Sequence, residues 1–483
     1  MHKGSLVSGE RNAIVYFGLF GVAIGLLTPI AVQQLATGKN LWLALTPLIP
    51  PVLFLMALRP VLGAAAFIGF GFINPSSLPT LMEIGPLSLR YIDGVFCLFI
   101  GMVLARSVIG RRAPILTEVR ELFTPLLLFL LYIGVSVMLV PISAPDFLGA
   151  SMASYMRLLL TASFVPVLCV TLRDQWDIQF FNKAVILLSM ATVAVGLGLV
   201  LTTGTSALAA RSGGMIGVGP LGLVSGLLIL YAFIAKDRNP WSIGWIIALA
   251  AGVLGLYLAK TATAIFAVAA TAAVYFASMR SRRFDLLTWA VVGTVMLTAA
   301  AMAIFSFRQG DVEGFADLSG GSFAERLMIA YAGLQIFLSN PVLGVGWQAT
   351  TSEAIITSPQ LLTAVTENFP HLETETFFVR AATSLHNMYI QFLAELGIIG
   401  FALFVWAGFR TAKKVARIVK DTPVESPYRV WTQFYALGLI YLLIWWNNST
   451  LFGGQIETML AFTFLAVLVN MAQLERKRVQ ESW

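Results

Sequence analysis

Apolar windows long enough to cross a lipid bilayer recur along this chain almost from end to end. A helix needs about 20 consecutive apolar residues to span the hydrocarbon core. The 483 residues are 58% apolar and only 11% charged, with a mean hydropathy of +0.84. A water-soluble chain of this length needs far more charge to cover its surface. In lipid every backbone N–H and C=O must be satisfied internally, so such windows become helices. The expected fold is therefore an all-α polytopic membrane protein. Fourteen spans are read at roughly 12–36, 41–58, 60–75, 90–106, 122–142, 152–172, 178–202, 214–235, 240–258, 261–279, 286–307, 386–410, 430–449 and 452–474. Twelve is the lower bound, because the 41–58 and 60–75 spans and the 240–279 pair are short. The first apolar run, Ala13 to Leu35, is expected to be a retained span, since it is long for a cleavable signal.

Charge orients the set. Every second connection is rich in Lys and Arg: Arg106, Arg111, Arg112 and Arg120; Arg173 and Lys183; Lys236 and Arg238; Arg280, Arg282 and Arg283; Arg410 to Lys420; and the tail Arg476, Lys477 and Arg478. The positive-inside rule makes these cytoplasmic. The net charge of +7 is then a topology signal. No basic face with aromatic platforms on a soluble domain is visible, so no nucleic acid is expected as a partner. The chain divides into a first transmembrane part (1–307), a large outer loop (308–385) and a last transmembrane part (386–483). The loop carries eight acidic residues against three basic ones. Within it, Phe323 to Leu338 reads as an amphipathic helix with Leu327, Tyr331, Leu334 and Leu338 on one face. It is expected on the outer membrane surface or packed on the bundle, ending at the Ser339-Asn340-Pro341 stop. The two cysteines, Cys97 and Cys169, lie in apolar segments and are expected in the core.

His386 opens the span after the long loop. A group that titrates near neutral pH thus stands where membrane meets water. Cations gather on the same side: Arg211 before a Gly-rich span opening, Lys260 between two apolar runs, Arg326 at the start of the loop helix and Arg380 at the end of the loop. Guanidinium binds phosphate oxygens bidentately, so this set suits a diphosphate. Arg211 and Lys260 can also be read as helix end-caps, and Arg326 and Arg380 as solvated loop charges. Glu395, about two and a half turns into the last-but-two span, is either a structural acid or part of the site, because an unpaired carboxylate there is costly. No phosphate-binding Gly-rich loop and no zinc motif is present, so neither a cofactor nor a metal is expected. The turn Gly344-Val345-Gly346-Trp347 is a weak signal by itself.

Three stretches together resemble the O-antigen ligase and O-antigen polymerase superfamily of bacterial membrane glycosyltransferases. The first is His386-Asn387-x-Tyr389-x-Gln391-x-Leu393-Ala394-Glu395-Leu396-Gly397-Ile398-x-Gly400. The second is Arg326, Gly333-Leu334-x-Ile336-Phe337 and Asn340-Pro341-Val342-Leu343-Gly344-Val345-Gly346. The third is Arg211 with the following span, and Lys260-Thr261-Ala262. Many members have Arg where Lys260 stands, and Asn where this chain has Gly219-Pro220-Leu221-Gly222.

The resemblance implies a metal-independent, inverting transfer on the periplasmic face of the bacterial inner membrane. The donor would be a glycan on undecaprenyl diphosphate. The acceptor would be a sugar hydroxyl on lipid A–core for a ligase, or on growing polysaccharide for a repeat-unit polymerase. Arg211 and Arg326 would hold the diphosphate and His386 would activate the hydroxyl, with Lys260, Arg380 and Glu395 as further candidates. A lipid-linked oligosaccharide flippase is the rival class. It should show charges inside several spans and two similar halves, which this chain lacks.

Overall fold

The computed structural model describes residues 59–72, 80–84, 87–90, 97, 99–101, 103, 116–203, 218–278, 321–370, 374–381, 384–448 and 456–481. The expected spans at 12–36, 41–58 and 286–307, most of that at 90–106, and the residues Arg211 and His371 lie outside them. The described chain is helical apart from one short antiparallel hairpin between expected spans, β1 (Thr80–Ile84) with β2 (Leu87–Arg90). The first helix, α1 (Pro60–Gly71), stops short of the expected 75. Then follow α2 (Leu116–Val137), α3 (Val140–Ser143), α4 (Leu148–Thr171), α5 (Gln175–Thr203), α6 (Val218–Arg238), α7 (Ile243–Ala259) and α8 (Ala262–Ser278). The loop holds α9 (Gly321–Ser339), α10 (Glu353–Ile356), α11 (Pro359–Asn368) and α12 (Thr374–Ala381). The last three are α13 (Met388–Asp421), α14 (Arg429–Trp445) and α15 (Ile456–Glu481). Six segments among the described residues are long and apolar enough to cross a membrane, lying on α2–α3, α4, α5, α6, α13 and α15. This is an all-α polytopic membrane protein.

Helix α15 is the central strut. Its apolar part, up to Glu475, is almost wholly buried and packs on α4 and α14. Asn470 donates Nδ2–H to the Leu168 carbonyl at 3.1 Å, and Tyr435 Oη–H on α14 donates to Asn182 Oδ1 on α5 at 2.5 Å. Polar groups inside the bundle thus find partners on neighbouring helices, as hydrocarbon requires. Helices α6 and α7 approach closely because Gly252 and Gly255 leave room for Ser225.

The basic connections meet at one end of the bundle. Arg238 Nη1–H donates to the Val424 carbonyl at 2.6 Å, Tyr275 Oη–H to Asp237 Oδ2 at 2.6 Å and Ser426 Oγ–H to Glu475 Oε2 at 2.7 Å. Lys414 pairs with Glu121 at 2.8 Å, and the Arg59 guanidinium lies 5.1 Å from the centre of the Trp176 ring. The long loop caps the opposite end. Its helices bury a small core of their own, with Met328, Ile329, Ile336, Leu361, Val365 and Phe377, and this core reaches into the bundle through Val140 and Ala394.

The loop helix is present and packs on α13, but not through the Leu334 and Leu338 stripe. Met328, Ile329, Ala332 and Ile336 are buried, whereas Leu334 and Leu338 are 43% and 58% exposed. The helix is apolar on two sides, so periodicity alone does not choose between them. Gly333 decides it: the absent side chain lets α9 sit against Ile390 and Leu385. Cys169 is buried as expected, but Cys97 is exposed.

Candidate functional site

The span expected at 386–410 is a longer helix with a break inside it. In α13, Gly397 has φ 62° and ψ −169°, far from helical. A break inside a membrane helix frees backbone groups that must be satisfied again. Here the stretch between Asn340 and Trp347 satisfies them. Val345 N–H donates to Ala394 O at 3.0 Å and Gly346 N–H to Glu395 O at 3.0 Å. In return Ile398 N–H donates to Pro341 O at 2.9 Å and Ile399 N–H to Val342 O at 3.4 Å. Ser136 Oγ–H and Tyr132 Oη–H on α2 donate to the carbonyls of Glu395 and Leu396 at 3.3 and 3.1 Å. Loop and helix interlock as a backbone clip. The two stretches that carried most of the resemblance are therefore in direct contact.

Glycine makes the clip close. Gly344 (φ +72°) faces the Glu395 carbonyl, and Gly397 (φ +62°) faces the Val342 carbonyl. A Cβ at either position would run into backbone, and L-residues seldom adopt this φ. The turn that read as a weak signal is the upper jaw of the clip.

Glu395 sits inside it, fully buried. Its carboxylate accepts from Thr350 Oγ1–H at 2.6 Å, from Gln391 Nε2–H at 3.1 Å on both oxygens, and from the Gln348 backbone N–H. Trp347 is buried alongside, its carbonyl accepting from Ser151 Oγ–H at 2.7 Å. The donors come from the loop and from the same helix, so this acid ties the loop to α13.

His386 precedes α13 in a left-handed turn with φ 51°. Its N–H donates to Ser384 Oγ at 3.0 Å. Asn387 caps the helix, its Oδ1 accepting from the N–H groups of Tyr389 and Ile390 at 3.0 and 3.1 Å. Asn387 Nδ2–H and Tyr389 Oη–H then bind the carbonyls of Asn447 and Leu443 at 3.2 and 2.6 Å, which ties the turn to the end of α14. The half-buried imidazole thus stands on a turn fixed from both sides.

Three described residues other than glycine have positive φ: Lys260, Gln348 and His386. All three lie at the loop end. Such outliers cost roughly 1–3 kcal/mol each and cluster at functional sites. Lys260 is the left-handed link between α7 and α8, its N–H donating to Leu256 O at 2.9 Å. Next to it, Thr261 packs at Gly222 near the start of α6. Tyr441 Oη–H reaches the Gly222 carbonyl at 3.4 Å, and Trp445 faces Gly219. The end of α14 therefore bridges the Lys260 turn and the His386 turn. Arg326 is exposed on α9, about two turns before Gly333 on the same face, and Gly333 abuts Leu385 beside the histidine. Arg380 lies in α12. Two buried acids among the described residues were not picked out from the sequence, Glu475 at the basic end and Glu457 at the start of α15 on the loop side. Glu457 stands at a span boundary between Gln455 and Thr458, where nothing in the sequence separates it from an end-cap.

The fold and this end of it define a multi-pass membrane protein whose loop clamps a broken helix beneath a strained histidine turn. Residues 246–405 match the family model described as O-antigen ligase, so over that stretch the chain is similar to the superfamily that the motifs resemble. The match takes in Lys260, Arg326, Arg380, His386, Glu395 and both halves of the clip, and leaves Arg211 outside. It supports an enzyme of the ligase or polymerase type acting on lipid-linked glycans in a membrane. No curated protein matches the chain.

Proposed function

We propose that this protein is a metal-independent, inverting glycosyltransferase working at the loop end of the bundle, on the periplasmic side of the inner membrane. The donor is a glycan on undecaprenyl diphosphate, and the acceptor is a sugar hydroxyl, in the ligase reading one on lipid A–core. The acceptor oxygen attacks the anomeric carbon. The bond from that carbon to the diphosphate oxygen breaks, and undecaprenyl diphosphate leaves. The hydroxyl proton passes to His386. Arg211 and Arg326 hold the diphosphate, where fixed cations stabilise the charge that builds on the leaving group. Lys260 and Arg380 supplement the positive field, and Glu395 positions the loop.

The observation that carries this reading is the turn at His386. It is conformationally strained, anchored by Ser384, Asn387 and α14, and seated directly on the helix that the loop grips. A histidine so placed can take a proton without moving the backbone.

The test is extraction of surface glycans and lipid-linked intermediates from a deletion strain. Loss of long chains from lipid A, with finished polymer left on the lipid carrier, is the expected ligase outcome. Accumulation of single repeat units would assign a polymerase instead. An unchanged glycan profile, with lipid-linked donor unconsumed by purified protein, would remove the transferase reading.

A further inference from the structure

A cavity of about 580 Å³ runs between α13 and α14 and is closed by α2, α8 and α15. Its volume is that of a ligand-sized pocket. Most of its wall is apolar, with Phe129, Phe404, Val415, Leu439, Phe462 and Leu465 among the lining residues. Gly408 also lines it, and a Cβ added there would meet nothing within 4 Å. Positive charge enters at one place. Lys420, in the last turn of α13, and Arg429, the first residue of α14, line the same cavity at the basic end.

Arg429 is held in position. Its Nη1–H donates to the carbonyls of Val419 and Thr422 at 2.6 and 2.8 Å. The acids closest in sequence are Asp421 and Glu425. Among the described residues neither forms an ion pair with Lys420 or Arg429. A long apolar wall with two cations at one mouth complements a molecule with the opposite layout: a hydrocarbon chain ending in an anionic head. The mouth belongs to the end where the Lys- and Arg-rich connections meet. Anionic lipids of the cytoplasmic leaflet are attracted to such basic segments at the membrane surface. The cavity also reaches Met388 and Trp446 at the loop end, so the tail of a lipid-linked donor is the rival occupant; with its diphosphate beside His386, it would leave Lys420 and Arg429 without an anion.

We infer that this cavity binds an anionic phospholipid of the cytoplasmic leaflet, with its phosphate on Lys420 and Arg429 and an acyl chain along the wall between α13 and α14. The inference does not depend on the transferase reading.

Native mass spectrometry of the full-length protein tests it, with phosphatidylglycerol and phosphatidylcholine of identical chains as probes. Wild-type protein should retain phosphatidylglycerol at collision energies that strip phosphatidylcholine. Lys420→Gln combined with Arg429→Gln should lower phosphatidylglycerol retention several-fold, to the phosphatidylcholine level. Arg429 also caps α13, so Lys420→Glu is the second variant. It should abolish the preference while leaving the thermal midpoint unchanged. Gly408→Leu, which fills the wall, should weaken both lipids. Equal retention of the two lipids by wild type would overturn the inference, and so would a preference that survives both charge variants. A third arm adds undecaprenyl phosphate. If it displaces phosphatidylglycerol from wild type and from Lys420→Glu alike, but not from Gly408→Leu, the cavity houses the donor's tail and the phospholipid site is refuted. None of these readouts uses transfer activity.

Discussion

At the scale of single residues, His386 and Glu395 stand in different relations to the chemistry. The backbone of His386 is held in a conformation that L-residues avoid, and its anchors lie on α14 as well as on its own turn. Removing the imidazole should stop transfer without unfolding the helix end. His386→Ala is expected to lose roughly 10²–10⁴ in rate, measured with lipid-linked donor in vitro at matched protein content. His386→Gln keeps a hydrogen-bonding group without the base. An inactive Gln variant supports proton transfer, while near-normal activity would reduce the role to positioning. In the proposed reaction Glu395 acts through the loop. Its acceptor capacity is met by Thr350, Gln391 and Gln348, so Thr350→Val removes one donor from a buried group, a loss of about 1–3 kcal/mol. The expected result is faster hydrogen exchange over 345–352 and a partial loss of transfer with His386 intact. Unchanged exchange there would show that the carboxylate does not hold the loop. Both residues could be picked out from the sequence, one by its place at an interface and the other as an acid inside an apolar run. The helix partner of Glu395, Gln391, lies one turn away in the same motif, but its loop partners could not be found, because Thr350 and Gln348 lie far upstream in a stretch without periodicity.

At the scale of elements, the informative event is the meeting of a loop and a broken helix. Around Gly397 the sequence is as apolar as a continuous span, so hydropathy reads straight through the break. The break shows only in three dimensions, where the carbonyls of Ala394, Glu395 and Leu396 and the N–H groups of Ile398 and Ile399 find partners on the 340–347 stretch or on α2. Gly344 and Gly397 mirror each other, each lying against the other segment's backbone. Alanine at either position should cost about 1–3 kcal/mol from overpacking, in addition to the left-handed backbone cost. Gly408→Ala, whose Cβ meets nothing, serves as the control and should be neutral to slightly stabilising, since alanine is the better helix former. Thermal midpoints in detergent separate the three. A Gly397→Ala variant as stable as the control would mean that the helix can close without the loop. The choice of buried face on α9 has a related cause. With apolar residues on two sides of that helix, the choice of buried side falls to one small residue, Gly333, whose partners Ile390 and Leu385 lie on the other side of the loop.

For the whole molecule, hydropathy and charge were enough to place the described spans and group their ends. The windows at 122–279 and from 386 onward fall on helices, because a bilayer leaves no alternative for such segments. What hydropathy could not supply is how the ends are tied. At the basic end Lys414 and Arg417 crowd the carboxyl of Glu121 and, with the Lys414 hydrogen bond as the largest cause, hold it below the usual carboxylate range. A lowered folded-state pKa gives stability that is present above the ordinary carboxylate range and is lost as pH falls through the lowered value. Because the Glu121 side chain is 61% exposed, the pair is worth less than about 1 kcal/mol. The gap in thermal midpoint between wild type and Glu121→Gln should be small at neutral pH and should close in acid and in high salt. A gap that persists in acid would mean that the pair is not its source. The arrangement of the ends also fixes what labelling must show. If the basic end is cytoplasmic, the loop helices face outward. In a Cys97→Ala, Cys169→Ala background, Gln360→Cys, on the exposed side of α11, should react with a membrane-impermeant maleimide in cells whose outer membrane has been permeabilised. Lys477→Cys, exposed near the end of α15, should react only after the inner membrane is broken. Because α13 joins the two ends through the histidine turn and the cationic mouth, the reverse pattern would put His386 on the cytoplasmic face. It would also move the lipid site to the outer leaflet, so one labelling experiment bears on both proposals at once.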